Sequence, residues 1–263
     1  MTSAPLAITT DSRGVATVTL DRAEKHNAFD DSLIAALADT FRRLGADEGV
    51  RAMVLAANGK SFSAGADVAW MKRMAAAAEA ENVRDARALA EMLRLLNEMP
   101  KPTVALVQGA ALGGGVGLVA CCDVALAADQ ATFALTEVRL GLIPATIGPY
   151  VVAAIGARAA RRYFLTGERF GAEDARALGL VHEVVSAADL PAAGERLIST
   201  VLAGGPKAVA EAKALVRAVA DQPITETLIE DTARRIARIR AGVEAREGLD
   251  AFLAKRKPSW MRE

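Results

Sequence analysis

An α/β fold carrying a helical C-terminal region is what the sequence predicts, and three observations predict it. Short apolar runs such as residues 52–57 (AMVLAA) and 103–107 (TVALV) alternate with helical stretches, the order that builds a parallel sheet buried on both faces. From residue 157 onward the pattern changes to helix after helix. The length of 263 residues, with 52% hydrophobic and 24% charged, suits one large core with a smaller helical appendage. The division is placed between residues 198 and 199, giving a core of 1–198 and a helical region of 199–263.

The elements follow in order. Residues 15–20 (VATVTL) alternate apolar side chains with threonine, and Ile8 begins a partner strand across Ser12-Arg13-Gly14, so the chain opens with a hairpin. Asp30 or Asp31 caps a helix whose apolar face is Leu33, Ile34, Leu37 and Phe41, and the strand 52–57 follows. A loop at 58–67 (NGKSFSAGAD), a long helical region ending near Met99, the strand 103–107, a glycine loop, a short helix and the strand 123–128 come next. In the C-terminal part, helices are read at 206–220, 224–240 and 243–255, and only 180–184 reads as extended. Pro206 and Pro223 sit near first turns, where a missing amide hydrogen costs nothing. Leu228, Ile229, Ile236 and Ile239 form an apolar stripe that either seals the core or meets another subunit.

Composition removes several functions. Lys+Arg and Asp+Glu both count 32, so no basic excess exists to neutralise nucleic-acid phosphates. Cys121 and Cys122 are adjacent, a spacing that suits neither an ordinary disulfide nor a zinc site, and they read as buried small hydrophobes in a reducing cytoplasm. Residues 1–10 show neither the positive start nor the long apolar run of a signal peptide. No charge lies between Lys101 and Asp123, but glycines at 109, 113, 114, 115 and 117 make that span strand, loop and helix and not a membrane crossing.

Familiar signatures fail on counting. Leu118 stands where a dinucleotide fingerprint needs its third glycine, and Val54 stands where a phosphate loop ending in Gly59-Lys60-Ser61 needs its first. Ser61 and Ser63 lack the glycine pair of a nucleophile elbow, and His26 and His182 read as structural or surface residues. What holds is a pair of small-residue turns, Ser63-Ala64-Gly65-Ala66-Asp67 and Ala111-Leu112-Gly113-Gly114-Gly115, each opening a helix. Amides at a helix start have no internal partner and carry the positive end of the dipole, so two such turns can aim two donors at one developing oxyanion. The same glycines also suit close strand-to-helix packing, and spacing alone leaves both readings open.

These stretches carry a resemblance. Residues 21–28 (DRAEKHNA), 61–67 (SFSAGAD), 107–115 (VQGAALGGG), 122–123 (CD), 133–144 (FALTEVRLGLIP), 165–167 (LTG), 175–181 (ARALGLV) and 246–257 (REGLDAFLAKRK) resemble the crotonase, or enoyl-CoA hydratase and isomerase, family in order over nearly the whole chain. The resemblance implies a crotonase-like β-β-α superhelix with a C-terminal helical trimerisation region, assembled as a homotrimer or a dimer of trimers. It implies an acyl-CoA thioester substrate, with no metal and no separate cofactor because CoA is part of the substrate. The amides of Ala66 and Gly114 take the thioester oxygen, and Glu137 in Thr136-Glu137-Val138 takes the position of the catalytic glutamate. Ala64, Gly65, Asp67, Val68 and Gly113 are implied for substrate binding, and Lys25 for a phosphate of CoA, with a solvated loop lysine as its equal alternative.

Two departures qualify the chemistry. Gly117 stands where two-glutamate hydratases carry their second glutamate, and Ala145-Thr146-Ile147-Gly148 replaces a glycine-richer turn. The expected activity is hydration of an unsaturated, branched acyl-CoA through an enolate-like transition state, with a double-bond isomerase as the alternative and a non-catalytic acyl-CoA-binding protein behind it. A finer likeness of 66–74 (ADVAWMKRM) and 140–161 is to bacterial hydratases of methylglutaconyl-CoA or isohexenylglutaconyl-CoA. A second carboxylate in such a substrate calls for an arginine or a backbone amide.

Overall fold

The computed structural model describes residues 5–261, so residues 1–4 of the stretch read for a signal peptide lie outside the described residues, as do the outermost ends of the two expected regions. Strands β1 (Leu6–Thr10) and β2 (Val15–Leu20) form the opening antiparallel hairpin, with Ile8 opposite Val18. Helix α1 (Asp31–Ala46) follows; Asp30 is its N-cap, accepting from Leu33 N, and Leu33, Ile34, Leu37, Phe41 and Leu44 are its buried face.

A repeated unit then begins. Each turn of the chain lays one strand in a large sheet, one short strand in a small sheet, and then helix: β3 (Ala52–Ala57), β4 (Ser61–Ser63), α2 (Val68–Ala75) and α3 (Glu79–Asn97); β5 (Thr103–Val107), β6 (Ala110–Leu112) and α4 (Gly114–Cys121); β7 (Val124–Ala128), β8 (Thr132–Ala134) and α5 (Gly148–Thr166). This is the β-β-α superhelix expected from the resemblance. β9 (Arg169–Gly171), α6 (Ala172–Leu178) and β10 (Glu183–Val185) close the two sheets, whose strand orders are β1-β2-β3-β5-β7-β10 and β4-β6-β8-β9. From β2 to β10 the large sheet is parallel, and core residues such as Met53, Leu55, Val107 and Leu126 are buried.

Four sequence expectations need correction. The loop at 58–67 contains β4, and the glycine loop contains β6; three-residue strands are too short to show a period. The long helical region ending near Met99 comprises two helices, α2 and α3, separated by residues 76–78. Extended backbone in the later part includes β9, and the strand read at 180–184 starts only at Glu183, after Leu180 and Val181 have entered the core. Pro223 lies before Thr225, the N-cap of the helix 226–240, and so outside its first turn, whereas Pro206 does occupy a first turn.

Helix α7 (Leu190–Leu202) packs Leu190, Ala193, Ile198 and Leu202 on the back of the large sheet, so the junction expected at 198 and 199 lies inside it. Three further helices, α8 (Pro206–Val219), α9 (Glu226–Arg240) and α10 (Val243–Leu253), complete the chain. Lys213 of α8 ties this region to the sheet: its Nζ lies 2.7 Å from Asp123 Oδ2, the oxygen that also accepts from Thr103 N and Oγ1. On α9, Leu228 and Ile239 are partly buried, while Ile229 and Ile236 stay exposed, as do Val243, Leu249, Phe252 and Leu253 of α10.

Cys121 and Cys122 are free and buried, and burial pushes the Cys122 thiol up to about 12, consistent with inert small hydrophobes. Both histidines are tied in place, His26 by Ser61 Oγ at 3.1 Å and His182 by the Ala125 amide at 3.1 Å, so each has an orienting partner that the sequence did not reveal. Among the described residues, no helix is long and apolar enough to cross a membrane.

Candidate active site

The small sheet sets the site. Three consecutive parallel strands, β4, β6 and β8, end side by side, and each is followed at once by one of the segments singled out in the sequence: Ala64-Gly65-Ala66, Gly113-Gly114 and Thr136-Glu137. All of these residues line one cleft of about 700 Å³. Its other wall is Trp70, Met71 and Met74 of α2 with Asn82, Asp85 and Leu89 of α3, and its mouth carries the exposed apolar Leu140, Leu142 and Ile143.

The Ala66 amide faces this cleft for a topological reason. Phe29 and Ala66 form an isolated parallel bridge in which Phe29 N donates to Gly65 O and Asp67 N donates to Phe29 O, both at 2.7 Å. In a parallel ladder the bridged residue turns its own N–H to the opposite side, away from the strand that holds it. The Gly114 amide is free because it opens α4, whose first internal bond is Gly117 N to Gly113 O. Among the described residues, neither amide donates to a protein acceptor.

Glycine is required at these turns. Gly113 has φ +50°, and a Cβ there would stand 2.8 Å from Glu137 Oε1. Gly65 has φ +85° and abuts the Leu112 carbonyl, while a Cβ at Gly115 would meet Ser63 O at 2.8 Å. Close packing and a bare, donor-lined wall are thus consequences of the same residues.

Glu137 opens a 3₁₀ turn, 137–140, closed by Gly141 at φ +72° and by Leu142 N donating to Glu137 O at 3.0 Å. Its Oε2 is buried with no hydrogen-bond partner, and burial pushes its carboxyl above the ordinary value of 4.5. A desolvated carboxyl in a cleft, with an oxygen waiting for a partner, is suited to hold and return a proton.

The remaining sequence candidates are placed differently. Asp67 caps α2, accepting from Ala69 N and Trp70 N, and its Oδ2 lies 3.4 Å from Lys25 Nζ; Val68 is 61% exposed. Lys25, Asp67 and Val68 stand outside the cleft wall, on the surface beside the first small-residue turn. Wall residues assigned no site role from sequence include Phe29, Asp85 and the apolar Trp70, Met71 and Met74 of α2, whose helical spacing looks like any core face. Asp85 accepts from Trp70 Nε1 at 3.1 Å; among the described residues, it and Glu137 are the charged side chains of the lining, with no arginine or lysine.

The position of the absent second glutamate is closed. A Cβ on Gly117 would come within 3.0 Å of Ile147 Cβ and closer still to its Cγ2, and Ile147, not Gly117, faces the cleft. Ile147 belongs to the turn that the sequence marked as a departure, so both departures meet at one place.

A family model described as Enoyl-CoA hydratase/isomerase matches residues 10–263, and the chain belongs to that family. It is 34% identical to a putative enoyl-CoA hydratase of Thermus thermophilus, over 93% of this chain and 96% of that protein. It is 31% identical to the crotonyl-CoA hydratase of Syntrophomonas wolfei, over 94% of each chain. A solved structure of an enoyl-CoA hydratase from Shewanella pealeana superposes with a TM-score of 0.94 at 45% identity, covering 97% of this chain and 96% of the other. The protein is an enzyme of the hydratase type, and an acyl-CoA thioester is its class of substrate.

Proposed function

We propose that the protein hydrates the α,β double bond of an unsaturated, branched acyl-CoA, using the amides of Ala66 and Gly114 as an oxyanion hole and Glu137 as the proton carrier. The observation that carries this reading is the shared cleft in which two unpaired main-chain amides stand with a buried, unpartnered carboxyl oxygen. The hydratases among its relatives support the same direction of reaction.

Charge dictates the steps. Glu137 takes a proton from water as the water oxygen bonds to Cβ; the π electrons move toward Cα and the thioester oxygen, where two preorganised N–H groups stabilise the enolate-like charge. The same carboxyl then returns its proton to Cα on the same face, so one water has been added and the enzyme is restored. Each oxyanion donor of this kind is worth about 10²–10³ in rate. The raised proton affinity of Glu137 fits a group that must hold a proton between the two steps. This chemistry calls for neither metal nor redox cofactor.

The apolar side chains of Met71, Met74 and Leu89 in the cleft wall support the preference for a branched, apolar acyl group. Among the described residues no cation lines the cleft, so a second carboxylate, as in a glutaconyl group, would have to be met by backbone amides. Lys25, Asp67 and Val68, at the surface beside the oxyanion turn, are assigned to the CoA moiety together with Ala64, Gly65 and Gly113. The exposed apolar residues of α10 support contact with further copies of the chain, assigned as a homotrimer or dimer of trimers, and the free, buried Cys121 and Cys122 support a reducing, cytoplasmic setting.

Product analysis in H₂¹⁸O decides the reaction. Incubation with crotonyl-CoA, 3-methylcrotonyl-CoA and 3-methylglutaconyl-CoA is expected to give ¹⁸O-labelled 3-hydroxyacyl products, fastest for a branched substrate. Migration of the double bond in a 3-enoyl-CoA without label uptake would make the protein an isomerase instead. Binding without any turnover would make it an acyl-CoA carrier.

A further inference from the structure

We propose that Phe29 is the positioning residue that couples the two oxyanion amides, its main chain fixing one and its ring fixing the other. The inference rests on the acyl-CoA reading above. The main chain of Phe29 brackets Ala66 through the bonds to Gly65 O and from Asp67 N, which sets the direction of the Ala66 N–H. Its ring abuts Gly114: a Cβ there would stand 3.1 Å from Phe29 Cε2 and 3.2 Å from Cδ2. One residue therefore touches both donor segments, which come from turns nearly fifty positions apart in the chain.

Phe29 is itself held hard. It is 2% exposed, and the two residues before its flanking alanine, His26 and Asn27, both adopt left-handed backbone, with φ of 51° and 54°. That conformation is locked by the fully buried Asn27, whose Oδ1 accepts from Arg22 N and whose Nδ2 donates to Asn58 O and Ser61 O, each at 2.9 Å. Ala64 N donates to His26 O, and Ser63 Oγ donates to Asn27 O, so residues 26–29 and 63–67 run as one laced pair. On the other side, Asp30 caps α1. A ring fixed this firmly is a rigid floor for Gly114, and oxyanion geometry is sensitive: a misplacement of about 1 Å costs about 10²-fold in rate.

Substituting the ring leaves the main-chain bonds available and removes the floor under Gly114 together with a part of the cleft wall, which is why KM is read separately from kcat. The test compares Phe29→Leu and Phe29→Ala with Phe41→Leu, a like change in the core face of α1. Two readouts are taken: kcat and KM on the substrate that turns over fastest, and the infrared C=O band of bound butanoyl-CoA labelled with ¹³C at the thioester carbon. The expected result is a kcat loss of about tenfold for Leu and about 10²-fold for Ala, KM within threefold, and a carbonyl shift smaller than in the wild type. Phe41→Leu should lower stability and leave kcat and the band unchanged. A full carbonyl shift and full kcat in Phe29→Leu, or an equal kcat loss in Phe41→Leu, overturns the proposal. No carbonyl shift in the wild-type protein overturns the oxyanion reading beneath it.

Discussion

The side chain of Ile147 fills the volume that a side chain at Gly117 would need, with Ile147 Cβ 3.0 Å from the position of a Cβ there and Leu93 Cδ2 at 3.6 Å. The two positions are thirty residues apart, yet each explains the other. A second acid cannot be added at 117 while an isoleucine stands at 147, and Glu137 is left as the acid on the reacting side. A double-mutant cycle checks this contact. Gly117→Ala is expected to cost about 1–3 kcal/mol in denaturant unfolding, and distinctly less in an Ile147→Ala background where the clashing methyl is gone. Equal costs in both backgrounds would remove the contact.

Glu137→Gln keeps the shape of the side chain and removes its ability to exchange a proton. Turnover is expected to fall by at least 10²–10⁴-fold, while the dissociation constant of butanoyl-CoA stays within threefold. A variant with near-normal kcat would take Glu137 out of the mechanism.

The pH dependence follows from burial. Hydration needs Glu137 ionised at the outset, and desolvation has moved its carboxyl above 4.5, so activity should be lost as pH falls through a value higher than that of an ordinary glutamate. The measurement is kcat/KM against pH, which reports the free enzyme. An acid limb at or below 4.5 would contradict the desolvated state of the carboxyl.

Asp30 offers a stability counterpart. Burial pushes its carboxyl up, but the Arg22 guanidinium at 2.6 Å and the Leu33 amide outweigh this and hold it at about 2, against an ordinary 3.8. A depressed carboxyl contributes stability that is complete above 3.8 and is lost as pH falls toward 2. Asp30→Asn is therefore expected to cost about 2 kcal/mol at pH 7, with the gap to the wild type closing between pH 3.8 and 2. A gap that stays constant with pH would assign the loss to packing instead.

Much of the frame was legible because its signals are long or repeated. The run 52–57 is apolar throughout and 103–107 is so after Thr103, as suits strands covered on both faces, and Asp30 followed by Leu33, Ile34 and Leu37 marks a capped amphipathic helix. The strands β4, β6 and β9 have three residues each, below any usable period, and the pairing of β4 with β6 is what brings the two amide turns side by side. The two amide turns were legible, because positive φ and close contacts leave glycine little alternative, whereas Glu137 was singled out only through the family resemblance. The site's opposite wall was not legible: Met71, Met74 and Leu89 read as core because burial against a ligand and burial against a sheet demand the same side chains. The meeting of Gly117 with Ile147, and of Phe29 with Gly114, is pairwise information across folded distance, which a single sequence does not carry.

The central claim is that Ala66 N and Gly114 N both donate to the thioester oxygen. A crystal structure with bound butanoyl-CoA measures this directly: the account predicts a carbonyl oxygen about 2.7–3.1 Å from both nitrogens. A carbonyl oxygen beyond hydrogen-bond reach of either nitrogen, in a fully occupied complex, would contradict it.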